Sequence, residues 1–177
     1  MKIGTKFGKV SIADEPTYTF GSVDNTIMYP VELQRPAGEI ANTAHGVWIE
    51  EAPVAIFGTS RGATGVHEHT AIVHNERLYL AVGDCVACLD LRTRVVLWLR
   101  TVDWATCFGV HYSLPHDALI SHGELEVARL TTDGEIVWHS GGRDIFTGPL
   151  SLKTDYVEAI DFDDRKYRFD YGTGACL

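Results

Sequence analysis

Long apolar runs and clusters of basic residues are both missing from this sequence of 177 residues. No run of about 18 apolar residues occurs, so we expect no membrane-spanning helix and no membrane partner. Lys and Arg number 15 against 24 Asp and Glu, which gives a formal net charge of −9. Because a nucleic-acid backbone is bound by clustered Lys and Arg, this acidic balance argues against nucleic acid as a partner.

The N-terminal region also lacks the apolar segment of a secretory signal, so we expect a cytoplasmic protein. Cys85 and Cys88 have the C-x-x-C spacing of zinc and redox motifs. They lie, however, in an apolar run at 78–91 that predicts strands, where side chains three residues apart point to opposite faces. We therefore interpret them as buried core thiols. Reduced thiols are expected at all four cysteines: Cys85, Cys88, Cys107 and Cys176.

Helical periodicity is scarce throughout the sequence. Segments rich in Val, Ile, Leu, Tyr and Trp are short and are interrupted by Gly, Asp or Asn about every ten residues, a pattern typical of antiparallel β-structure. We predict a single all-β domain over 1–177, with an irregular part at 1–65 and a repeat-bearing part at 66–177. The strands predicted in the repeat-bearing part are 66–73, 78–82, 85–91, 95–100, 108–113, 118–121, 125–130, 135–139, 156–162 and 166–171.

An internal repeat organises these strands into meanders. Trp98 and Trp138 lie forty residues apart, as do Gly83 and Gly123, and an ungapped shift by that distance superposes 78–80 on 118–120. A third, shorter copy is predicted where 163–169 follows the pattern of 132–138. Four strands in about forty residues is the size of one blade of a β-propeller.

The units 78–100 and 118–140 resemble the repeats of quinoprotein-type (PQQ-like) β-propellers. Those repeats run from a strand through a glycine turn to a second strand, a polar turn and an apolar stretch that closes on Trp. The resemblance implies a binding scaffold, although no residues match a quinone site. A closed propeller needs at least about four blades, and two copies with a fragment are visible, so a β-sandwich or a cupin-like barrel stays open as an alternative fold.

Two histidines suggest a metal site. His67 and His69 are spaced so that both imidazoles would face the same way on a strand and reach one metal ion. Together with Glu76 they resemble the first motif of cupins, which implies a divalent metal held inside a barrel by these three residues, with His122 as a fourth candidate ligand. The alternative is a pair of ordinary histidines on an edge strand.

Two side chains are candidate nucleophiles. Ser60 lies in a G-x-S-x-G pattern after a short apolar run, as in the nucleophile elbow of hydrolases, but a loop follows where that motif requires a helix. Cys107 would be a nucleophile if His111 or His116 activated its thiolate. The alternative for Cys107 is packing between repeats.

The sequence thus favours a non-catalytic binding or interaction module for a protein or a small ligand, and no cofactor is expected unless the histidines hold a divalent metal ion. A cupin-like metal-dependent enzyme or metal-binding protein using His67 and His69 is the alternative, and a serine hydrolase at Ser60 is the third hypothesis. Because an incomplete set of blades leaves sheet edges uncovered, a homo-oligomer is also expected.

Overall fold

The computed structural model describes residues 1–177, which form sixteen β-strands in four sheets and no helix. It therefore contains no helix long and apolar enough to cross a membrane. The first sheet has the order β1-β2-β4-β5-β3, and its strands are β1 (Lys2–Thr5), β2 (Gly8–Asp14), β3 (Val31–Arg35), β4 (Thr43–Ile49) and β5 (Ala52–Thr59).

The other three sheets are antiparallel meanders, each built from consecutive strands. The second consists of β6 (Ala71–His74), β7 (Arg77–Val82), β8 (Cys85–Asp90) and β9 (Val96–Thr101). The third consists of β10 (Cys107–Ser113), β11 (Ala118–Gly123), β12 (Glu126–Leu130) and β13 (Ile136–Gly141). The fourth consists of β14 (Ser151–Leu152), β15 (Tyr156–Ile160) and β16 (Lys166–Asp170).

The hydrophobic core is divided into layers between consecutive sheets. One apolar cluster joins the first sheet to the second, another joins the second to the third, and another joins the third to the fourth. Cys85 lies in the first of these layers and Cys88 in the second, as predicted for residues three apart on a strand. Separate meanders that pack face to face, each on the next, are the arrangement of propeller blades. The predicted all-β, propeller-like class is thus confirmed, rather than a sandwich or a cupin-like barrel.

The two ends of the stack are covered differently. On the first sheet, the loop between β2 and β3 adds three aromatic rings that contact edge to face in a row. Phe20 contacts Tyr18, Tyr18 contacts Tyr29, and Tyr29 contacts Trp48 of β4. The outer face of the fourth sheet is polar, with Arg168 paired to Glu158 at 3.4 Å. The outer face of the first sheet is therefore covered by an aromatic loop, whereas the outer face of the fourth sheet carries charged side chains and is exposed to solvent.

Residues 1–65, expected to be irregular, form the whole first sheet. Strands at 26–33, 46–49 and 54–57 are readable from the sequence, but their pairing is not. One edge strand, β3, pairs in parallel with β5, and the long loop before β3 separates β2 from its partner β4. Parallel pairing requires a long connection, so neighbouring residues carry no hairpin signal for it.

Tryptophans fasten the second sheet to the third and the third sheet to the fourth. The ring of Trp98, on β9, lies against the turn between β12 and β13, where a Cβ on Gly134 would be 2.6 Å from the indole. Trp138, on β13, makes the same contact with Gly174, at 2.7 Å. Each indole N–H also donates to a carbonyl beside that turn, Trp98 to Thr132 at 3.3 Å and Trp138 to Tyr171 at 2.9 Å. The forty-residue spacing of these tryptophans is thus the spacing of the sheets.

The repeat register differs from the predicted one. The forty-residue shift superposes Leu80, on β7, on Ile120, on β11. Leu80 faces the preceding sheet, the first, whereas Ile120 faces the following one, the fourth. The ungapped alignment is therefore one residue out of register in these two strands. A slip of one residue exchanges the two faces of a strand. The predicted third copy at 163–169 is also displaced, because β16 is the third strand of its sheet and not the fourth.

The turn after β16 shows which strands of the fourth sheet correspond to those of the second. The Asp90 carboxylate accepts the backbone N–H of Thr93 at 2.7 Å and its hydroxyl at 2.8 Å. The Asp170 carboxylate accepts the same two groups of Thr173, each at 2.8 Å. The turn after β16 therefore corresponds to the turn after β8.

We expect Gly134→Ala to destabilise the protein much more than Gly38→Ala does. Both glycines have positive φ, 85° and 81°, so both substitutions strain the backbone by about 1 kcal/mol. Only at Gly134 would the new methyl group meet the Trp98 ring, whereas at Gly38 it would meet open space. This contact should cost roughly 2 kcal/mol more. Urea denaturation measures the difference, and equal losses would contradict the fastening role of Trp98.

Candidate functional site

Four histidines from separate parts of the chain line one recess of about 330 Å³. His67 and His69 precede β6, His111 is on β10 and His122 is on β11. The recess is completed by four further residues: Phe108, Thr147, Pro149 and Leu150. No Asp, Glu, Lys or Arg belongs to the lining; the carboxylate of Glu68, highly exposed, lies 3.5 Å from His69 outside it.

His67 and His69 lie in a turn and not on a strand, since β6 begins only at Ala71. The predicted strand 66–73 is therefore wrong in its first half. Thr70 closes the turn: its backbone N–H donates to the carbonyl of His67 at 3.2 Å, and its hydroxyl accepts the backbone N–H of His67 at 2.8 Å. Because Thr70 can do this through both groups, the local sequence favours a turn over an extended strand.

The turn is docked on strand β10 of the third sheet. The backbone N–H of Val110 donates to the carbonyl of His69 at 2.9 Å. This close approach requires a glycine at position 109, where a Cβ would lie 2.9 Å from the Cβ of His69. The second sheet's leading turn is thus held directly against the third sheet.

His67 orients this turn through both ring nitrogens. Its Nε2 lies 2.6 Å from the carbonyl oxygen of Phe108, and its Nδ1 lies 3.2 Å from the backbone nitrogen of His69. A carbonyl only accepts and a backbone N–H only donates, so the contacts fit a neutral ring with the proton on Nε2. Neither nitrogen of His67 is left free for another partner.

His111 and His122 are half-buried side chains, each with a buried and unsatisfied ring nitrogen. Gly109 pairs with His122 across the two strands, which places His111 and His122 on the same face. The Nε2 atom of each ring is buried and has no hydrogen-bond partner. Burial, followed by the neighbouring histidines, lowers the pKa of both rings to about 4, so both are uncharged at neutral pH. The ring of His69 lies 4.9 Å from that of His111.

The positions that correspond to His122 in the second and fourth sheets are apolar. In the second sheet Ala81 lies opposite Val86, and in the third sheet His122 lies opposite Val127 at the same point of the hairpin. The fourth sheet has Ile160 there, opposite Lys166. The fold therefore does not need an imidazole at position 122.

The predicted metal ligands are only partly brought together. His67, His69 and His122 share the recess, whereas Glu76 lies in the β6–β7 turn, bonded to Lys6 and 3.7 Å from Arg92. In the structure, no group of three metal-ligating side chains (His, Cys, Asp or Glu) is arranged to hold a metal ion. Sequence reasoning missed His111 as a partner of these histidines, although the pairing of β10 with β11 puts it beside His122.

Ser60 lacks the surroundings of a hydrolase nucleophile. It follows β5 directly, and no helix comes after it. Its hydroxyl donates to the carboxylate of Glu39. Gly58, the first glycine of the pattern, is explained by packing, because a Cβ there would lie 2.4 Å from the ring of Phe20.

Cys107 is a core thiol rather than an activated one. It is fully buried, and burial raises the pKa of its thiol far above the ordinary value. Its Sγ donates to the carbonyl of Gly109 at 3.5 Å. His116, one proposed activating base, stacks on Tyr171 with ring centroids 3.7 Å apart and bonds the carbonyl of Thr154. The structure does not bring His116 to Cys107.

We expect one reactive thiol per native chain. Cys85, Cys88 and Cys107 are buried, and burial raises the pKa of the first two to about 12, whereas Cys176 is exposed. Because the thiolate is the reactive species, iodoacetamide at pH 8 should label Cys176 alone. Mass spectrometry of intact protein measures one adduct in buffer and four in denaturant. Rapid native labelling of Cys107 would contradict its interpretation as a core thiol.

The shifted histidines predict a loss of stability in acid. The pKa of His111 and of His122 is about 4 in the folded protein, against 6.5 as the ordinary value, so the unfolded chain binds more protons between these values. Stability is therefore greatest above about pH 6.5 and falls as the pH drops towards about 4. We expect each histidine to account for roughly 1–2 kcal/mol lost between pH 7 and pH 5.

Urea denaturation at the two pH values measures this loss in wild type, His111→Ile and His122→Ile. Each variant lacks one titrating ring and should lose about 1–2 kcal/mol less than wild type on acidification. His139→Ile is the matched control, because His139 is exposed and pairs with Glu126 outside the recess. An acid loss that neither recess variant reduces would contradict the prediction.

No protein-family model matches this chain, and no curated protein matches it. Solved structures resemble it in fold. BamB from Moraxella catarrhalis has a TM-score of 0.54 at 18% identity, covering 76% of this chain and 43% of BamB. Sqt1 from Saccharomyces cerevisiae has a TM-score of 0.58 at 12% identity, covering 77% of this chain and 42% of Sqt1. The computationally designed protein Ika8 has a TM-score of 0.55 at 14% identity, covering 76% and 44%.

This chain spans less than half the length of each of these three structures. At 12–18% identity the similarity concerns the fold alone. It agrees with the packed meanders and the interlocking tryptophans described above. The chain is an all-β protein with a propeller-like arrangement of antiparallel sheets.

Proposed function

We propose that this chain is a non-catalytic binding module built from quinoprotein-type repeats, and that the histidine recess is its site for a small ligand. One observation carries the proposal. His111 and His122 bury unpartnered Nε2 atoms in a recess, and at the position of His122 the neighbouring sheets have Ala81 and Ile160.

The energetic argument starts from the cost of an unpartnered polar atom. Burying such an atom costs about 1–3 kcal/mol, whereas an apolar side chain in the same place costs nothing of that kind. Two imidazoles in this state lower the stability of the free protein. A ligand that bonds their nitrogens would offset that cost, and the half-exposed side chain of His69 (54% accessible) leaves the recess open to solvent.

Binding fits these residues better than acid–base catalysis does. A general acid or base works best with a pKa near the operating pH, and His111 and His122 have pKa values of about 4. The candidate nucleophiles add no support for an enzyme. Ser60 bonds Glu39, and the Cys107 thiol is protonated and buried.

We expect His122→Ile to leave the free protein as stable as wild type at pH 7, or to stabilise it by about 1 kcal/mol. The variant removes an unsatisfied nitrogen and installs the residue that the fourth sheet has at this point, with similar volume. A site kept for binding commonly costs stability in this way. Urea denaturation at pH 7 gives the free energies of unfolding.

His45→Ile is the matched control. His45 is also buried on a strand, but its Nδ1 lies 3.1 Å from the carbonyl oxygen of Ala81 and its Nε2 lies 3.2 Å from that of Thr64. A neutral imidazole donates one N–H, so losing this bond to a buried carbonyl should destabilise the protein by about 1–3 kcal/mol. If His122→Ile destabilised the protein as strongly as His45→Ile, His122 would have a structural role and the proposal would fail.

A further inference from the structure

We propose that the recess binds a divalent transition-metal ion through His69, His111 and His122, with His67 as a positioning residue. The inference rests on the proposed role of the recess as a binding site and names the ligand class. It replaces the ligand set expected from the sequence, since Glu76 is engaged elsewhere and His111 lies among the histidines.

The donor atoms in the recess suit a transition-metal ion such as Zn²⁺. The polar side chains that line the recess are four imidazoles and one threonine hydroxyl. Imidazole nitrogen is a preferred ligand of Zn²⁺, Cu²⁺, Ni²⁺ and Fe²⁺, whereas Mg²⁺ and Ca²⁺ prefer oxygen. Three imidazoles with an open fourth position form a known zinc arrangement.

The unpartnered nitrogens are the second argument. The buried Nε2 atoms of His111 and His122 receive no hydrogen bond from any protein group. An imidazole nitrogen that neither donates nor accepts a hydrogen bond in the protein is available for coordination. No Lys or Arg lines the recess, so no fixed side-chain cation competes with a bound metal.

The spacing of the rings is compatible with a shared ion. Two imidazoles bound to one tetrahedral Zn²⁺ at about 2.0–2.1 Å have ring centroids roughly 5 Å apart. The centroids of His69 and His111 are 4.9 Å apart. The rings do not yet surround one point. The His69 ring can rotate towards His111 at little cost, because its one polar contact is with the exposed carboxylate of Glu68.

His67 acts through the turn and not as a ligand. Its Nε2 donates to the Phe108 carbonyl and its Nδ1 accepts from the backbone of His69, so both nitrogens are occupied. These bonds, with the one from Val110 to the carbonyl of His69, fix the backbone of His69 above β10. The metal then needs only side-chain rotation to assemble its ligands.

Isothermal titration of the chelator-treated full chain with ZnCl₂ tests the assignment. We expect one equivalent of Zn²⁺ with a dissociation constant of about 10 µM or tighter. His69→Ala and His122→Ile should each weaken binding at least about tenfold. His139→Ala is the control and should bind as wild type does, because His139 lies outside the recess. Titration with CoCl₂ should give the visible absorption of a four-coordinate site in wild type and lose it in His122→Ile.

Failure of the metal assignment is distinguishable from failure of the binding recess. No zinc binding below about 100 µM, or binding that neither recess variant weakens, overturns the metal site. If zinc does not bind while His122→Ile is at least as stable as wild type, the recess remains a binding site for another ligand. If His122→Ile destabilises the protein as His45→Ile does, the recess itself is rejected.

Discussion

The contact between a tryptophan on one sheet and a glycine turn on the next is the constraint on which this structure depends. Trp98 and Trp138 can approach their turns because Gly134 and Gly174 have no side chain. Each contact fixes how one meander lies on the following one, so the apolar layers between the sheets form in register. The middle sheets are covered on both faces, which is why β7 and β8 have continuous apolar sequences rather than alternating ones.

The sequence signal was strong where pairing is local. Consecutive strands joined by short turns carry their pairing in neighbouring residues, so most predicted strands of 78–171 match observed ones within a few residues. The first sheet could not be predicted in this way, because its parallel pair, β3 with β5, depends on residues far apart in the chain. The repeat register also escaped, because one turn differs in length. Leu89 pairs with Val96 in the second sheet, whereas Leu130 pairs with Ile136 in the third, one residue closer along the chain.

The candidate site likewise depends on contacts between residues far apart in the chain, which local patterns do not reveal. Sequence reasoning singled out His67 and His69 for a strand geometry that does not exist, and their real proximity to His111 comes from docking of a turn on β10. That docking depends on Gly109, forty residues away from the turn, and no local pattern indicates it. Glu76 was included for its resemblance to the cupin carboxylate, but it lies in the β6–β7 turn, where Lys6 from the turn between β1 and β2 bonds its carboxylate. Hydrogen bonds between sheets therefore determine which side chains line the recess.

The recess also links separate units of the fold. His69 belongs to the turn that leads into the second sheet, His111 and His122 belong to the third sheet, and Leu150 comes from the segment leading into the fourth. A ligand held by rings from two sheets stabilises their association by RT ln(1 + L/Kd), where L is the free ligand concentration. Two unsatisfied imidazoles, at about 1–3 kcal/mol each, are a large fraction of a typical stability of 5–15 kcal/mol. A fold with three apolar layers tolerates such a cost at one recess. Repeating it in every sheet would leave no margin, and the neighbouring sheets accordingly have Ala81 and Ile160 where the third has His122.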